Sequence, residues 1–338
     1  MRKFLSVLLV SASLIALGQD PEFSQYYAAP LYLNPAFTGT TNDHRFIINY
    51  RNQWPSVAQG YTTTAFSYDY NVAEFNSGFG FLATQDQAGT AGMKSTQFNF
   101  LYSYKWRVSS TWVISSGLNF GYASRNIDFN KLLFADQLQI GVNSTVPTGD
   151  PSLNNAGSAH YFDFKGGLLA YNRNFWFGFA ASHVNEPNRS LINQYAYVPM
   201  KVTVHGGVRI PLYQGIKKTR IPVLSPSFVY KHQANFEQLD VGAYLLYDPI
   251  IFGLWYRGIP VSKNAENRPS QDAAVVMLGY QIGNFEIVYS YDFTVSALGP
   301  ASGGAHELAL KYHHPIPEKH KSKKREKFLP CPSFNRKE

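Results

Sequence analysis

The feature that most constrains the fold of this chain is an alternation of apolar and small polar side chains, which continues from residue 44 to residue 312. In QFNFLYSYKW, residues 97–106, every even position carries an aromatic ring and most odd positions are polar. In NFEIVYSYDF, residues 284–293, every odd position is apolar and most even positions are polar. Because successive side chains of a β-strand point to opposite faces, the alternation predicts strands with one apolar face and one polar face.

About fourteen segments share this pattern. They lie near 44–54, 61–72, 76–86, 95–107, 111–124, 159–172, 174–184, 200–210, 223–233, 236–247, 250–258, 271–283, 284–293 and 304–313. Short turns separate some of them, and long loops are predicted over 125–158, 185–199 and 294–303. Short turns alternating with long loops are typical of an outer-membrane β-barrel, in which an even number of antiparallel strands places both chain ends in the periplasm.

Three features favour a membrane barrel over a soluble β-sandwich or propeller. The polar face is poor in Lys and Glu, and only 15% of the chain is charged, against roughly 25% in ordinary soluble domains. Strands of roughly ten residues match the tilted span of a bilayer. Aromatic rings at strand ends are typical of an interfacial girdle; they are Tyr70, Trp106, Trp112, Tyr122, Tyr171 and Tyr247. We therefore predict an all-β transmembrane barrel of about 14 antiparallel strands, residues 44–314, whose apolar face contacts outer-membrane lipid.

The first 18 residues have the composition of a secretory signal peptide. Arg2 and Lys3 precede a short apolar stretch that ends before Gly18, and such a stretch is removed in the mature protein. Cleavage is expected near Gly18/Gln19, and no cysteine follows that would indicate a lipoprotein. Outside the first 17 positions no apolar run approaches the ~18 residues of a membrane helix. We therefore expect an exported protein of the outer membrane and exclude a helical membrane protein.

Charge and motif content exclude several classes of function. The net charge is +8, but most of it lies in the signal peptide and the tail, so 19–316 is nearly neutral and nucleic-acid binding is not expected. The single cysteine argues against a disulfide scaffold and a Cys-built metal site. The adjacent His313 and His314 would point to opposite faces of a strand, so no metal is expected. Neither G-x-S-x-G nor H-E-x-x-H occurs. We expect no catalytic residues, no metal and no cofactor.

Residues 19–43 lack the alternation and are rich in rings and prolines. A segment of this composition is costly to expose to water, so we expect it to enter or cap the barrel lumen from the periplasmic side. The segment is either a structural plug or a docking site for a periplasmic component. Nine charged residues within the strands should face the lumen, since charge facing lipid costs a few kcal/mol; they are Arg51, Asp69, Lys105, Asp163, Lys165, Glu286, Asp292, Glu307 and Lys311. The candidate lumen and plug residues are Tyr26, Tyr27, Tyr32, Asn34, Pro35, Phe37, Arg51, Trp54, Asp292 and Glu307.

The tail, residues 315–338, is too charged to form a strand. Either it is a solvated disordered tail or it docks a periplasmic partner, with the basic run steering and the apolar residues anchoring. The candidate docking residues are Lys323, Lys324, Arg325, Phe328, Cys331 and Phe334. Cys331 either forms an intermolecular disulfide or stays a thiol.

Two stretches carry a resemblance to a known family. DPEFSQYYAAPLYLNPAFTG, residues 20–39, with YRNQWP at 50–55, resembles the start of mature PorP/SprF proteins, the type IX secretion system membrane proteins of Bacteroidetes. YDFTVSALGPASGGAHE, residues 291–307, is similar to the family's last hairpin, and LPCPSF, residues 329–334, to its terminus.

The resemblance implies a non-enzymatic outer-membrane barrel of a type IX secretion or gliding system. Such a protein supports export or surface attachment of a secreted adhesin that carries a C-terminal sorting domain. The implied partners are that domain and, in the periplasm, a peptidoglycan-binding OmpA-like protein or other type IX components. The polar lumen face fits an alternative equally well, namely a passive or ligand-specific channel.

Overall fold

The computed structural model describes residues 20–57, 60–89, 91–132, 134–137, 148–150, 153, 157–192, 194–213, 221–259, 272–295, 299–316 and 331. The strands are β1 (His44–Gln53), β2 (Tyr61–Val72), β3 (Ser77–Ala88), β4 (Met93–Arg107), β5 (Val113–Asn126), β6 (Ala159–Tyr171), β7 (Phe175–Ser182), β8 (Lys201–Val208), β9 (Ile210–Pro211), β10 (Val223–Gln233), β11 (Phe236–Tyr247), β12 (Ile250–Ile259), β13 (Ala273–Ile282), β14 (Phe285–Thr294) and β15 (Ala305–His314). They correspond closely to the segments predicted from the alternation.

The strands form one closed antiparallel barrel. Each strand pairs with its neighbour in sequence, and β1 closes the ring by pairing with β15 from His44↔His314 to Gln53↔Ala305. The two-residue β9 continues β8, since both pair with β10. If β8 and β9 are counted as one strand, the barrel in the described part of the chain has fourteen strands, as predicted. We call the end that holds His44 and His314 the terminal end and the opposite end the loop end.

The alternation separates the outside of the barrel from its inside. On β4, Phe98 and Phe100 face outward and are 51% and 52% exposed, whereas Leu101 and Ser103 are buried in the interior. This arrangement removes the polar side chains from hydrocarbon and presents rings to it. The closed ladder leaves no sheet edge in the bilayer, which a membrane-spanning sheet requires. No helix among the described residues is long and apolar enough to span a membrane.

One predicted girdle residue faces the other way. Tyr171 is fully buried and shares the inward face of β6 with Leu169. The rings of β6 that face outward are Phe162 and Phe164, which lie at even positions. The prediction was wrong for Tyr171 because its place at a strand end was given more weight than its odd position in the alternation.

The N-terminal segment, residues 20–43, forms three short helical turns instead of a strand. They are Tyr26–Ala28, Pro30–Leu33 and Pro35–Phe37, and further one-turn helices occur at Ala73–Phe75, Phe129–Lys131, Ala135–Gln137 and Pro300–Ser302. Pro30 and Pro35 stand at the first helical position, where a missing N–H costs no hydrogen bond. The Asn34 side chain caps the third turn by accepting from the Ala36 N–H at 2.8 Å. Most residues of this segment are buried, because it lies inside the barrel.

Candidate functional site

At the terminal end, a buried ion pair fixes the last part of the N-terminal segment. Arg45 binds Asp69 through two hydrogen bonds, Nε to Oδ1 at 2.8 Å and Nη2 to Oδ2 at 2.9 Å. Asp69 also accepts from the Gly39 N–H at 2.7 Å, and Arg45 donates to the Phe37 carbonyl at 3.2 Å. Both side chains are essentially unexposed. The buried Asp69 carboxylate thus accepts hydrogen bonds both from Arg45 and from the backbone of the N-terminal segment.

Asn34 binds the barrel wall in the middle of the lumen. Its Nδ2 lies 3.1 Å from the Leu168 carbonyl and 3.2 Å from the Phe179 carbonyl, to which it donates. The same nitrogen lies 3.0 Å from Nε2 of His205, a buried side chain on β8. The Phe37 ring packs on His205 with 5.2 Å between ring centroids. The Asn34-Pro35 turn is thus held by polar contacts to three strands.

Glycines on the inner wall make room for this turn. A Cβ added at Gly117 would overlap the backbone of Pro35 and Ala36, and one added at Gly167 would overlap the Asn34 side chain. These positions lie on the lumen faces of β5 and β6. Glycine permits this close approach of backbone to wall because it has no Cβ.

The two tyrosines of the first helical turn each bind a carboxylate of the wall. Tyr27 donates to Glu286 at 2.6 Å, and Lys311 pairs with Glu286 at 3.0 Å while lying 3.6 Å from the centre of the Tyr27 ring. Tyr26 donates to Asp240. Its ring packs edge-on against another wall residue, Trp255, at 5.3 Å.

A second lysine completes the contacts of Tyr26. The Nζ atom of Lys231 donates to the Tyr26 hydroxyl at 2.9 Å and pairs with Asp240 at 3.4 Å. It also pairs with Glu22 of the N-terminal segment. A buried hydroxyl and two carboxylates thus share one ammonium.

Towards the loop end, a buried charge cluster holds the start of the segment. Arg51 pairs with Asp292 at 2.8 Å and with Glu307 at 3.1 Å, and all three side chains are at most 3% exposed. Arg257 adds a second guanidinium 3.2 Å from Asp292. The Ser24 N–H donates to Glu307 at 2.8 Å, and its hydroxyl donates to Asp292 at 2.6 Å.

The segment reaches the loop end at Asp20. Its carboxylate pairs with Lys201 at 2.7 Å and with Nε2 of His183 at 2.8 Å, while Nδ1 of His183 lies 2.9 Å from Asp163. Both ring nitrogens therefore face a carboxylate and both must donate, which favours the charged imidazolium. The segment thus spans the lumen from the terminal end to the loop end.

Proton affinities in this cluster follow from burial and charge. Burial opposes the charged form of Asp20, but Lys201 and His183 outweigh it and hold the pKa of Asp20 well below its usual value. Burial likewise opposes the charged form of His183, but Asp20 and Asp163 raise its pKa above the usual value.

The remaining predicted residues lie at the ends of the lumen. The Tyr32 hydroxyl donates to the Pro21 carbonyl within the segment, and the ring lies 5.0 Å from Nζ of Lys165. Trp54 lies apart from the plug contacts, at the loop end, where its ring meets Tyr61 at 5.5 Å.

The structure describes only one residue of the predicted docking set. The backbone N–H of Cys331 donates to the Thr40 carbonyl at 3.1 Å, and its side chain is buried. The other members lie outside the described residues; they are Lys323, Lys324, Arg325, Phe328 and Phe334.

Sequence reasoning missed several contact residues. Those on the wall and in the loop after β7 are Arg45, His183, Lys201, His205, Lys231, Asp240 and Arg257; those in the segment are Asp20, Glu22 and Ser24. Those of the missed residues that lie within strands occupy inward positions of the alternation. The alternation could therefore have identified them as lumen residues. Among the described residues, no group of three or more His, Cys, Asp or Glu side chains could hold a metal ion.

A cavity lies between the N-terminal segment and the loop end. It has a volume of about 430 Å³. Asp20, Glu22 and Tyr32 close it towards the terminal end, whereas Trp54 and Arg189 lie on its loop side. We call this space the vestibule.

A family model matches residues 15–312, and it describes type IX secretion system membrane proteins of the PorP/SprF type. The chain belongs to the PorP/SprF family. A membrane protein of this family that folds as a closed barrel resides in the outer membrane. The family and the fold are those predicted from the sequence, and the family is not a known class of enzymes.

Similarity to other proteins is otherwise remote. A comparison with curated protein sequences finds no match. Among solved structures, a KdgM porin shares 10% identity over 79% of this chain and 98% of its own, with a TM-score of 0.36. A FadL homologue of Pseudomonas aeruginosa shares 11% identity over 84% of this chain and 94% of its own, with a TM-score of 0.45.

Proposed function

We propose that this PorP/SprF-family protein is a non-enzymatic anchor in a type IX secretion or gliding system. It supports export or surface attachment of a secreted protein, such as an adhesin, by binding its C-terminal sorting domain. One observation carries the proposal: the chain's own N-terminal segment fills the lumen and is held by buried charges from Arg45–Asp69 at one end to Asp20–Lys201 at the other. A barrel filled in this way offers a rigid platform rather than a water path.

The loop end is the proposed binding face for the secreted domain. The long loops predicted over 125–158 and 185–199 are the chief candidates for this contact, and they correspond to the connections from β5 to β6 and from β7 to β8. In the second of them, Tyr195 and Tyr197 are 88% and 55% exposed and stack on each other. Exposed aromatic residues are enriched at protein interfaces because they bury a large area at a small cost in conformational entropy.

The terminal end is the proposed periplasmic face. Cys331, one residue of the tail, lies against Thr40 there. The partner proposed for the tail is a peptidoglycan-binding OmpA-like protein or another type IX component. Removal of the signal peptide near Gly18/Gln19 belongs to this proposal, because Asp20 is held inside the lumen.

Affinity purification of the tagged protein from outer membranes, followed by mass spectrometry, tests the anchoring role. We expect a large secreted protein with a C-terminal sorting domain to co-purify. Replacement of Tyr195 and Tyr197 by Ser should reduce its yield, whereas Tyr213→Ser, an exposed ring at the terminal end, should not. Recovery of the barrel without any secreted protein would refute the anchoring role.

The alternative is a passive or ligand-specific outer-membrane channel. It requires a water path past the N-terminal segment. Conductance in planar bilayers separates the two functions, since a filled barrel stays silent and a channel gives steady current steps.

A further inference from the structure

The charges that line the vestibule are unevenly compensated. Asp20 is paired with Lys201, and Asp272 with Arg257 at 3.4 Å. In contrast, no carboxylate of the described residues lies at ion-pair distance from Lys165, whose Nζ lies over the Tyr32 ring, 5.0 Å from its centre.

A second cation of the vestibule also lacks a carboxylate. Arg125 contacts the sulfur of Met93 at 2.7 Å, and within the described ranges no acidic side chain lies at ion-pair distance. Asp86 accepts a hydrogen bond from Thr63 at 2.6 Å and is the one lining acid of the described residues with no cation at that distance. Of these three groups without an ion pair, two are positive and one is negative, so an anion that reaches Lys165 or Arg125 meets a cation that no carboxylate of the described residues pairs with.

The shape of the vestibule restricts how a polypeptide can enter it. The N-terminal segment closes the vestibule towards the terminal end with Asp20, Glu22 and Tyr32. An extended chain that enters from the loop end therefore has no exit at the terminal end. The vestibule's volume of about 430 Å³ lies within the roughly 300–1,000 Å³ of ligand pockets. A short chain end fits such a space, whereas a folded domain does not. An amino terminus would bring its positive charge towards Lys165, whereas a carboxyl terminus would bring the opposite charge.

We infer that the vestibule binds the C-terminal carboxylate of an extended polypeptide, with Lys165 as its partner at the closed end and Arg125 nearer the mouth. The mouth also offers aromatic surface for the preceding side chains, from Trp54 and Tyr61, the latter 44% exposed. This inference rests on the proposed function in so far as the polypeptide is the end of the secreted protein's sorting domain.

Two matched peptide libraries test the inference directly. The purified full chain in detergent is dialysed against N-acetylated tetrapeptides of random sequence, one library with free C-terminal carboxylates and the other with C-terminal amides. Mass spectrometry measures what is retained. We expect the acids to be retained roughly tenfold better, in line with one charge-assisted hydrogen bond. Equal retention of the two libraries, or retention of neither, would overturn the inference.

Variants locate the carboxylate partner. Lys165→Gln should abolish the preference for acids, and Arg125→Gln should weaken it. The control is Lys94→Gln, which removes an exposed lysine of β4 outside the vestibule lining and should keep the preference. Circular dichroism and the heat-dependent gel shift of barrels confirm that each variant is folded. A preference that survives in folded Lys165→Gln overturns the inference, as does displacement of the acids by an equal concentration of inorganic phosphate.

The outcomes separate this inference from the anchoring role. If Lys165→Gln still co-purifies with the secreted protein at wild-type yield, the vestibule does not hold its carboxyl end, and the anchoring role stands. If the wild-type barrel retrieves no secreted protein but prefers the acid library, the anchoring role fails and the carboxylate site stands.

Discussion

Replacement of Arg51 by Met tests whether buried charges hold the N-terminal segment in the lumen. Arg51 pairs with Asp292 at 2.8 Å and Glu307 at 3.1 Å, with side chains at most 3% exposed. Removing one partner of a buried pair typically costs about 3–5 kcal/mol, because the other charge stays buried without compensation. Here Asp292 keeps Arg257, and Glu307 keeps the Ser24 N–H. We therefore expect a loss near the lower limit, about 3 kcal/mol of unfolding free energy.

Urea unfolding in detergent micelles, followed by tryptophan fluorescence, measures this loss. With a slope of about 3 kcal/mol per molar urea, the midpoint should fall by about 1 M. The control is Arg173→Met in the exposed turn between β6 and β7, which should change the unfolding free energy by less than about 0.5 kcal/mol. If Arg51→Met and Arg173→Met have the same midpoint, the cluster does not stabilise the barrel, and the reasoning is refuted.

Three further predictions follow from the same contacts. Gly117→Val should destabilise the fold by about 1–3 kcal/mol and expose the N-terminal segment to protease, because its side chain overlaps Pro35 and Ala36; unchanged protease resistance would contradict the close packing. The raised pKa of His183 stabilises the fold fully below pH of about 6.5, so thermal stability should fall as pH rises through the folded-state pKa. His183→Gln should remove this slope, and an unchanged slope would assign it to another group. Cys331 is 1% exposed, so it should react slowly with a water-soluble maleimide until the protein is unfolded in urea, and rapid labelling of the native protein would contradict its burial.

The barrel could be predicted from the sequence because its two faces meet different solvents. Along each strand, apolar residues that face lipid alternate with polar residues that face the lumen. The alternation therefore predicted the strands, the inward position of their charged residues and the closed barrel. Asp292 and Glu307 were recognised in this way, since a charged side chain on a membrane-spanning strand is costly when it faces lipid and is therefore expected in the lumen.

The contacts of the N-terminal segment could not be predicted in the same detail. Its composition indicated burial, but a segment of short helical turns has no periodicity that assigns a side chain to a wall residue. Ser24 contacts Glu307 across 283 positions of sequence, and Asn34 contacts His205 of β8 across 171 positions. Contacts of this kind depend on the three-dimensional register, which local pattern does not contain.

Single-channel recording of the purified full chain in planar bilayers tests the central claim most directly. If the N-terminal segment fills the lumen as Arg45–Asp69 and Asp20–Lys201 hold it, the inserted protein should be electrically silent. A variant lacking residues 20–40 should then give current steps. Steady porin-like steps from the full chain would contradict a filled barrel and, with it, the role as an anchor.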